Sequence, residues 1–215
     1  MRLFRPCLFA GWFYPDAIFR MRTKEKLLCL TFDDGPDPDS TPKILEIINR
    51  YHINALFFCN GRSAEKYPDL IKQIKEEGHL VGNHGYSHLN GWNTSLKRYI
   101  ADIENADSFT SSGLFRPPYG RLRLIQYFKL RRKYKIVFWD IMPYDFDKSF
   151  GVENSLRIIK NKIRPGSIVV LHDHHESTAI ELLNQFINYA LGDGYRFVLP
   201  DSKTYVNTEM KTFLR

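Results

Sequence analysis

Two adjacent aspartates, Asp33 and Asp34, precede Gly35-Pro36 at the end of an apolar run in this chain of 215 residues. Neighbouring carboxylates at the end of a buried strand repel each other and lose solvation. Alone, the tetrapeptide reads as a plain Asp-Gly-Pro turn; a nearby cation or metal ion would change that reading. His84 and His88 stand four apart, and on a helical turn that spacing puts both imidazoles on one face, able to grip one ion. With seven histidines in the chain, such a pair can arise by chance. Joined by a strand-end carboxylate it becomes a His-His-Asp set with open positions, which suits catalytic zinc or a related divalent ion. Arg116 follows an apolar pair, where a lone charge is costly. It is either an ordinary rim arginine or one satisfied by a carboxylate such as Asp33. Pro117-Pro118 stiffens the turn that leads to Tyr119. His172 ends another apolar run and would pass for a core histidine, but for its place beside the other polar clusters. His174, His175 and Glu176 read as a polar loop, with a second metal site as the more ambitious alternative.

These residues need elements that bring them together. Short apolar runs at Leu27–Phe32, Ala55–Cys59, Leu80–Val81, Leu114–Phe115, Ile136–Trp139, Ile168–Leu171 and Phe197–Leu199 predict fully buried parallel strands. Between them lie helical stripes. Thr41 as N-cap with Pro42 behind it opens the first, which continues through Ile44, Ile47, Ile48 and Tyr51. Leu70, Ile71 and Ile74 precede the helix stop Gly78; Leu96, Tyr99, Ile100 and Ile103 follow; then Val152, Leu156, Ile159 and Ile163; and last Leu183, Phe186, Ile187 and Ala190. The basic stretch Leu122 to Lys133 is a weaker helix. About seven strand–helix units imply an α/β domain with a parallel sheet, either open and doubly wound or closed as a barrel. In either, all strand C-termini face one rim. Asp33-Asp34, the segment Asn83 to His88, Arg116 to Tyr119, Asp140 with Asp145-Phe146, and His172-Asp173 all follow strands, so they are expected to converge there.

Composition bounds the rest. With 43% hydrophobic and 26% charged residues, the chain is an ordinary globular domain, and no Gly-rich nucleotide loop appears. The net charge of +7 leans on Arg121, Arg123, Lys129, Arg131, Arg132, Lys133 and Lys135. These are expected to form a solvated face rather than a nucleic-acid surface, so no nucleic acid is expected as partner. Cys7, Cys29 and Cys59 form no CxxC pair, Cys29 and Cys59 being expected as buried free thiols, which fits a reducing, cytoplasmic setting. The stretch Cys7 to Tyr14 is broken by Gly11 and ended by Pro15-Asp16, and no small-x-small cleavage site follows. No run reaches transmembrane length. Trp12, Phe13 and Phe19 beside Arg20 and Arg22 could rest on a membrane surface as a peripheral contact, packing against the domain being the simpler expectation.

From about Leu27 to Leu199, the segments together resemble the polysaccharide deacetylases of the NodB-homology type, carbohydrate esterase family 4. Thr31-Phe32-Asp33-Asp34-Gly35-Pro36 resembles the first motif of that family, His84 and His88 the second, Arg116-Pro117-Pro118-Tyr119 the third, Asp145 the fourth and His172 the fifth. The resemblance implies an α/β fold, a distorted (β/α) barrel with about seven parallel strands. It also implies a division into residues 1–25 as an N-terminal extension packed on the domain and 26–215 as the catalytic domain. It assigns Asp33 as base, Asp34, His84 and His88 as ligands of one divalent metal (zinc first, cobalt or nickel otherwise), and Arg116 as the group that orients the base. The Tyr119 N–H would hold the oxyanion, His172 would be the acid, and Asp145 would support it. Tyr119, Phe146 and Val170 would contact substrate. Three residues depart from the family pattern: Gly85 for Ser or Thr, Phe146 for Trp, and Val170 for Leu; the last two would shape the acetyl-methyl pocket. The implied reaction is metal-dependent removal of an N-acetyl, or O-acetyl, group from an acetylated amino-sugar glycan. Rival readings are a hydrolase of small cyclic amides or imides on a related fold, and a carbohydrate-binding relic without catalysis, for which the retained acid, base and ligand set would have no use.

Overall fold

The computed structural model describes residues 4–6 and 9–200. Among them run seven strands: β1 (Leu27–Asp33), β2 (Leu56–Cys59), β3 (Leu80–Asn83), β4 (Leu114–Phe115), β5 (Lys135–Ile136), β6 (Ile168–His172) and β7 (Arg196–Phe197). Their order is β5-β4-β3-β2-β1-β6, with β7 also on β1, and every pairing is parallel. Both faces of β1 are covered, so its residues after Leu27 are all buried and it reads as a continuous apolar run. The described residues also form eight α-helices: α1 (Ala10–Phe13), α2 (Thr41–Arg50), α3 (Gly61–Lys66), α4 (Pro68–Glu76), α5 (Leu96–Thr110), α6 (Leu124–Leu130), α7 (Val152–Lys162) and α8 (Ala179–Gly192). The largest core cluster lies between the sheet and the helices, where Ile44, Ile48, Leu183, Phe186 and Ile187 are fully buried.

The sheet curls because the chain beyond β5 crosses to the opposite edge. The Val137 N–H still bonds Phe115 of β4, yet Asp140 and Ile141 donate to Ile168 and Val170 donates to Ile141. Residues 137–141 therefore pair first beside β4 and then beside β6, which makes a distorted (β/α) half-barrel. The predicted fifth strand, Ile136–Trp139, is cut short by this crossing. Asp140 is not on the rim: buried below it, its carboxylate accepts from Ser167 Oγ at 2.6 Å and binds Arg164 at 2.5 Å and Arg5 at 3.2 Å.

Two further expectations shift. Ser40, not Thr41, is the residue before α2, because the Thr41 hydroxyl donates to Asp173 and accepts from the Asp37 N–H. α3 was not foreseen; Gly-Arg-Ser-Ala-Glu-Lys carries no apolar stripe, and its one signal is Asn60, whose side chain caps the Arg62 N–H. Cys29 and Cys59 are buried free thiols, and burial pushes both well up from the ordinary range; Cys7 lies outside the described residues, as do residues 201–215 of the expected catalytic domain. Among the described residues, no helix is long and apolar enough to cross a membrane.

The N-terminal segment is seated on the domain through Ala17, Ile18 and Met21, all buried, and through Phe19, which stacks on Phe138 at 4.8 Å. Phe9, Trp12 and Phe13 stay exposed. Met21 donates to the Gly166 carbonyl at 2.8 Å, and Gly166 has φ +82°, with an ideal Cβ only 2.1 Å from the Met21 carbonyl oxygen. A side chain there must push one backbone off the other. Gly166→Ala is expected to lower stability by about 2 kcal/mol or more, measured by urea denaturation. Gly11→Ala, with nothing within 4 Å of its Cβ, is the control and should leave stability nearly unchanged.

Candidate active site

Strand alternation aims the site. Thr31 and Asp33 on β1 share one face, as do Val170 and His172 on β6. The register sets Thr31 beside Val170 and Asp33 beside His172. Two titratable groups thus stand side by side at the C-terminal rim. Arg116, fully buried just past β4, reaches into the same space. Its Nη1 donates to Asp33 Oδ1 at 2.6 Å and to Thr31 Oγ1 at 2.8 Å, while Nε and Nη2 donate to the carbonyls of Val137 and Phe138. The expected carboxylate partner of Arg116 is therefore Asp33, and the aspartate next to it is left for other work.

Asp34 turns away at φ +80° and meets the two histidines, with Oδ1 3.1 Å from His88 Nε2 and 3.5 Å from His84 Nε2. Burial works to raise the Asp34 pKa, but the His88 hydrogen bond and the charges of His84, His172 and His88 outweigh it and hold the carboxyl below its usual range. The pair is not on a helical turn as the spacing suggested. His84 and His88 lie in a loop after β3, and φ values of +74° at Gly85 and +52° at His88 bend them onto Asp34. Buried Asn83 accepts from the Gly85 N–H, and Asp102 accepts from the N–H groups of Tyr86 and Ser87. A Cβ on Gly85 would lie 3.0 Å from Asp102 Oδ2, so the glycine that departs from the family pattern lets Asp102 approach.

The donor chemistry of this trio fits a divalent cation. His84 Nδ1 lies 2.8 Å from the Arg116 carbonyl, which can only accept. Nδ1 therefore carries the proton, and Nε2 keeps its lone pair for a metal. Burial pulls the His84 pKa down to about 4, which keeps it neutral at pH 7. Ligand-type atoms of Asp34, His84 and His88 all lie within 4.8 Å of one another, the separation expected around one ion. Asp37, Asp39 and His175 form a second such group, but His175 and Asp39 are exposed and His175 Nδ1 is engaged by Asp37 at 2.9 Å.

His172 is held from behind by Asp145, which is fully buried. Oδ2 accepts the His172 backbone N–H at 2.7 Å, and Oδ1 lies 3.0 Å from Nδ1. Burial alone would lower the His172 pKa, yet the Asp145 charge and hydrogen bond, with Asp34 and Asp33 behind them, raise it to about 9. Asp173, missed as a structural element by the sequence, accepts from the Ser40 and Thr41 hydroxyls at 2.6 Å each and donates its N–H to the Asp33 carbonyl at 2.7 Å. Burial pushes its carboxyl up to about 7. Its only sequence signal is its place next to His172.

One pocket of about 480 Å³ collects Asp33, Asp34, His84, His88, Tyr119, Phe146, Val170, His172 and His174. Phe146 meets the His172 ring edge-on at 4.7 Å. Tyr119 sits at φ +59°, its ring 4.5 Å from that of His88. Gly120 and Arg121 spend their N–H groups on Pro117 and Pro118; the Tyr119 N–H makes no such bond among the described residues.

Known proteins are similar to this chain in sequence and in fold. The family model for polysaccharide deacetylase matches residues 20–126. A peptidoglycan-N-acetylglucosamine deacetylase of Bacillus cereus is 35% identical over 185 residues, covering 81% of this chain and 86% of the relative. A chitooligosaccharide deacetylase of Azorhizobium caulinodans is 32% identical over 166 residues, covering 72% and 77%. Among solved structures, the Bc1960 peptidoglycan N-acetylglucosamine deacetylase in complex with 4-naphthalen-1-yl-N-oxidanyl-benzamide superposes with a TM-score of 0.83, at 28% identity, covering 90% of this chain and 94% of that one. A CE4 family pseudoenzyme from Bacillus anthracis superposes with a TM-score of 0.75 at 25% identity, covering 84% and 66%.

The paired geometry of His172 and Asp145 has a direct readout. An NMR titration should place the His172 imidazole near 9, and Asp145→Asn, which keeps the shape and removes the charge, should bring it down towards the ordinary value of about 6.5. Equal values in the two proteins would mean that Asp145 does not hold the proton on His172.

Proposed function

The chain belongs to the polysaccharide deacetylase family, and on that premise we propose that it hydrolyses N-acetyl groups on an amino-sugar glycan with the help of one divalent metal ion. The same site would cleave O-acetyl esters, whose leaving group needs less protonation. The observation that carries the proposal is the β1–β6 register. It sets Asp33, with its arginine, beside His172, with its own aspartate, in the pocket that also holds the His-His-Asp trio. A binding surface has no use for an oriented base, a supported acid and a ligand set together.

Asp34, His84 and His88 would hold the ion, zinc being the first expectation and cobalt or nickel the alternatives. When bound, such an ion supplies Lewis-acid polarisation and lowers the pKa of water. Asp33, kept in place by Arg116, takes the proton from the attacking water. The Tyr119 N–H, on its stiffened turn, donates to the developing oxyanion. His172, protonated because of Asp145, hands its proton to the departing amine. Phe146 and Val170, beside His172, would close on the acetyl methyl, and the acetylated glycan would lie along the open side of the pocket.

Acetate release from N-acetylated chitooligosaccharides and peptidoglycan fragments, with and without added zinc, tests the proposal. The wild type should release acetate and bind one ion per chain. The His84→Ala/His88→Ala double variant should lose both. Undiminished metal content in the double variant, or no acetate from any acetylated glycan, would overturn the proposal. The alkaline limb of the kcat/KM profile should follow His172: activity is retained while the imidazole is protonated and falls as pH rises through about 9. Asp145→Asn should move that limb to lower pH and harm an amide substrate more than an activated acetyl ester. An unmoved limb with equal losses on both substrates would remove His172 from the role of acid.

A further inference from the structure

Six of the eleven exposed large apolar side chains among the described residues lie on or against two short helices, α1 and α6. Phe9, Trp12 and Phe13 follow the spacing of one helical face, and Trp12 is 81% exposed. On α6, Leu124, Ile125 and Phe128 are exposed, Ile125 by 60%, while Gln126, Tyr127 and Leu130 are buried. Neither helix is long enough to be stable by itself, and both are pinned. The Tyr14 hydroxyl donates to the Leu122 carbonyl at 2.6 Å, and its ring meets that of Tyr127 edge-on at 5.1 Å. The Tyr127 hydroxyl accepts the Asp16 N–H at 2.9 Å, and Asp16 pairs with Arg131. Buried Gln126 ties the start of α6 to the carbonyls of Gly91 and Thr94. α1 is thereby seated beside α6, and the six apolar side chains stand in water on helices that are held in place.

The charge around them has one sign. Residues 121–135 hold seven lysines and arginines and no aspartate or glutamate. Arg131 and Lys133 pair with Asp16 and Asp107. Lys129, Arg132 and Lys135 are exposed, and none of them pairs with a carboxylate among the described residues. Leu124 and Ile125 gain by leaving water and offer nothing to a phosphate, whereas the cations gain from an anion and offer nothing to an apolar partner. An anionic bilayer presents both chemistries, phosphates at its surface and acyl chains just beneath, and a tryptophan suits the boundary between them. A second copy docked on the same face would set these cations against their own counterparts. Since no helix among the described residues is long and apolar enough to cross a membrane, the contact is peripheral. Phe19, which the sequence offered for such a contact, stacks on Phe138 instead, and α6 takes its place.

We propose that the exposed apolar side chains of α1 and α6, together with Lys129, Arg132 and Lys135, form a docking surface for an anionic phospholipid membrane. The cations meet the headgroups, and the aromatic and aliphatic side chains enter the layer below. The test is co-sedimentation of the whole chain with two kinds of vesicle, one of phosphatidylcholine alone and one with about a quarter of phosphatidylglycerol added. The wild type should partition onto the anionic vesicles about tenfold or more strongly than onto the neutral ones, and most of that preference should vanish at about 0.5 M salt. Lys129→Glu/Arg132→Glu should bring the two vesicles within about twofold of each other. Trp12→Ala/Ile125→Ala, at unchanged charge, should weaken binding to the anionic vesicles by about tenfold or more. Leu191→Ala, which removes an exposed apolar side chain of α8, should bind as the wild type does. All the substituted side chains are exposed, and melting curves check that the variants are folded. No binding to either vesicle, equal wild-type binding to both, or binding unmoved in either double variant would overturn the proposal. Sedimentation velocity without vesicles and titration with a DNA or RNA oligonucleotide cover the other occupants. A dimer that Trp12→Ala/Ile125→Ala abolishes would give the face to a second copy. Oligonucleotide binding that Lys129→Glu/Arg132→Glu abolishes, without vesicle binding, would give it to nucleic acid. Either result would overturn the proposal.

Discussion

A charged guanidinium buried to zero exposure is the feature around which the rest of the molecule is arranged. Arg116 donates to the carboxylate of Asp33 and the hydroxyl of Thr31 on β1, and to the carbonyls of Val137 and Phe138 on the closing segment. It lies 4.1 Å over the Phe58 ring of β2. Its backbone N–H donates to Asn83 of β3, and its carbonyl faces His84 Nδ1. Each nitrogen of the buried cation has an acceptor, which is the condition under which such a group is tolerated. Two of those acceptors lie on the closing segment, between its pairing with β4 and its pairing with β6. The curl of the sheet, the position of Asp33 and the tautomer of His84 are therefore one constraint.

The other acids of the rim work by the same logic at smaller scale. Asp102 ties down the histidine loop, Asp145 holds both the backbone and the ring of His172, and Asp173 anchors the start of α2 through two hydroxyls. Each spends both carboxylate oxygens on its target. The cost appears in the backbone. Asp34, His88 and Tyr119 all take left-handed φ values that non-glycine residues seldom adopt. All three positions line one pocket, where Asp34 and His88 bring a carboxylate and an imidazole together.

Much of this was legible in the sequence because buried parallel strands are written as apolar runs; five runs lie within or cover their strands, while the runs Ile136–Trp139 and Phe197–Leu199 share only Ile136 and Phe197 with β5 and the exposed edge strand β7. The site was legible because its residues follow those runs directly. Contacts that depend on loop shape were not. The four-residue spacing of His84 and His88 suggested a helical turn, but the pair is brought together by a bent loop around Gly85. Asp140 follows a strand as Asp145 does, yet it turns inward to Arg164, Ser167 and Arg5 because the chain crosses the sheet there. α3 carries no periodic apolar signal, and the role of Asp173 depends on Ser40 and Thr41, more than 130 residues away.

The central claim is that the two adjacent aspartates have separate tasks, Asp33 fixed by Arg116 as base and Asp34 turned to the histidines as ligand. Metal content and single-turnover deacetylation, measured together on Asp33→Asn and Asp34→Asn, test it most directly. The account predicts that Asp33→Asn keeps one ion per chain and loses a factor of roughly 10² or more in rate, while Asp34→Asn loses the ion. An Asp33→Asn protein that loses the ion, or one that keeps it and turns over at nearly the wild-type rate, would contradict the account.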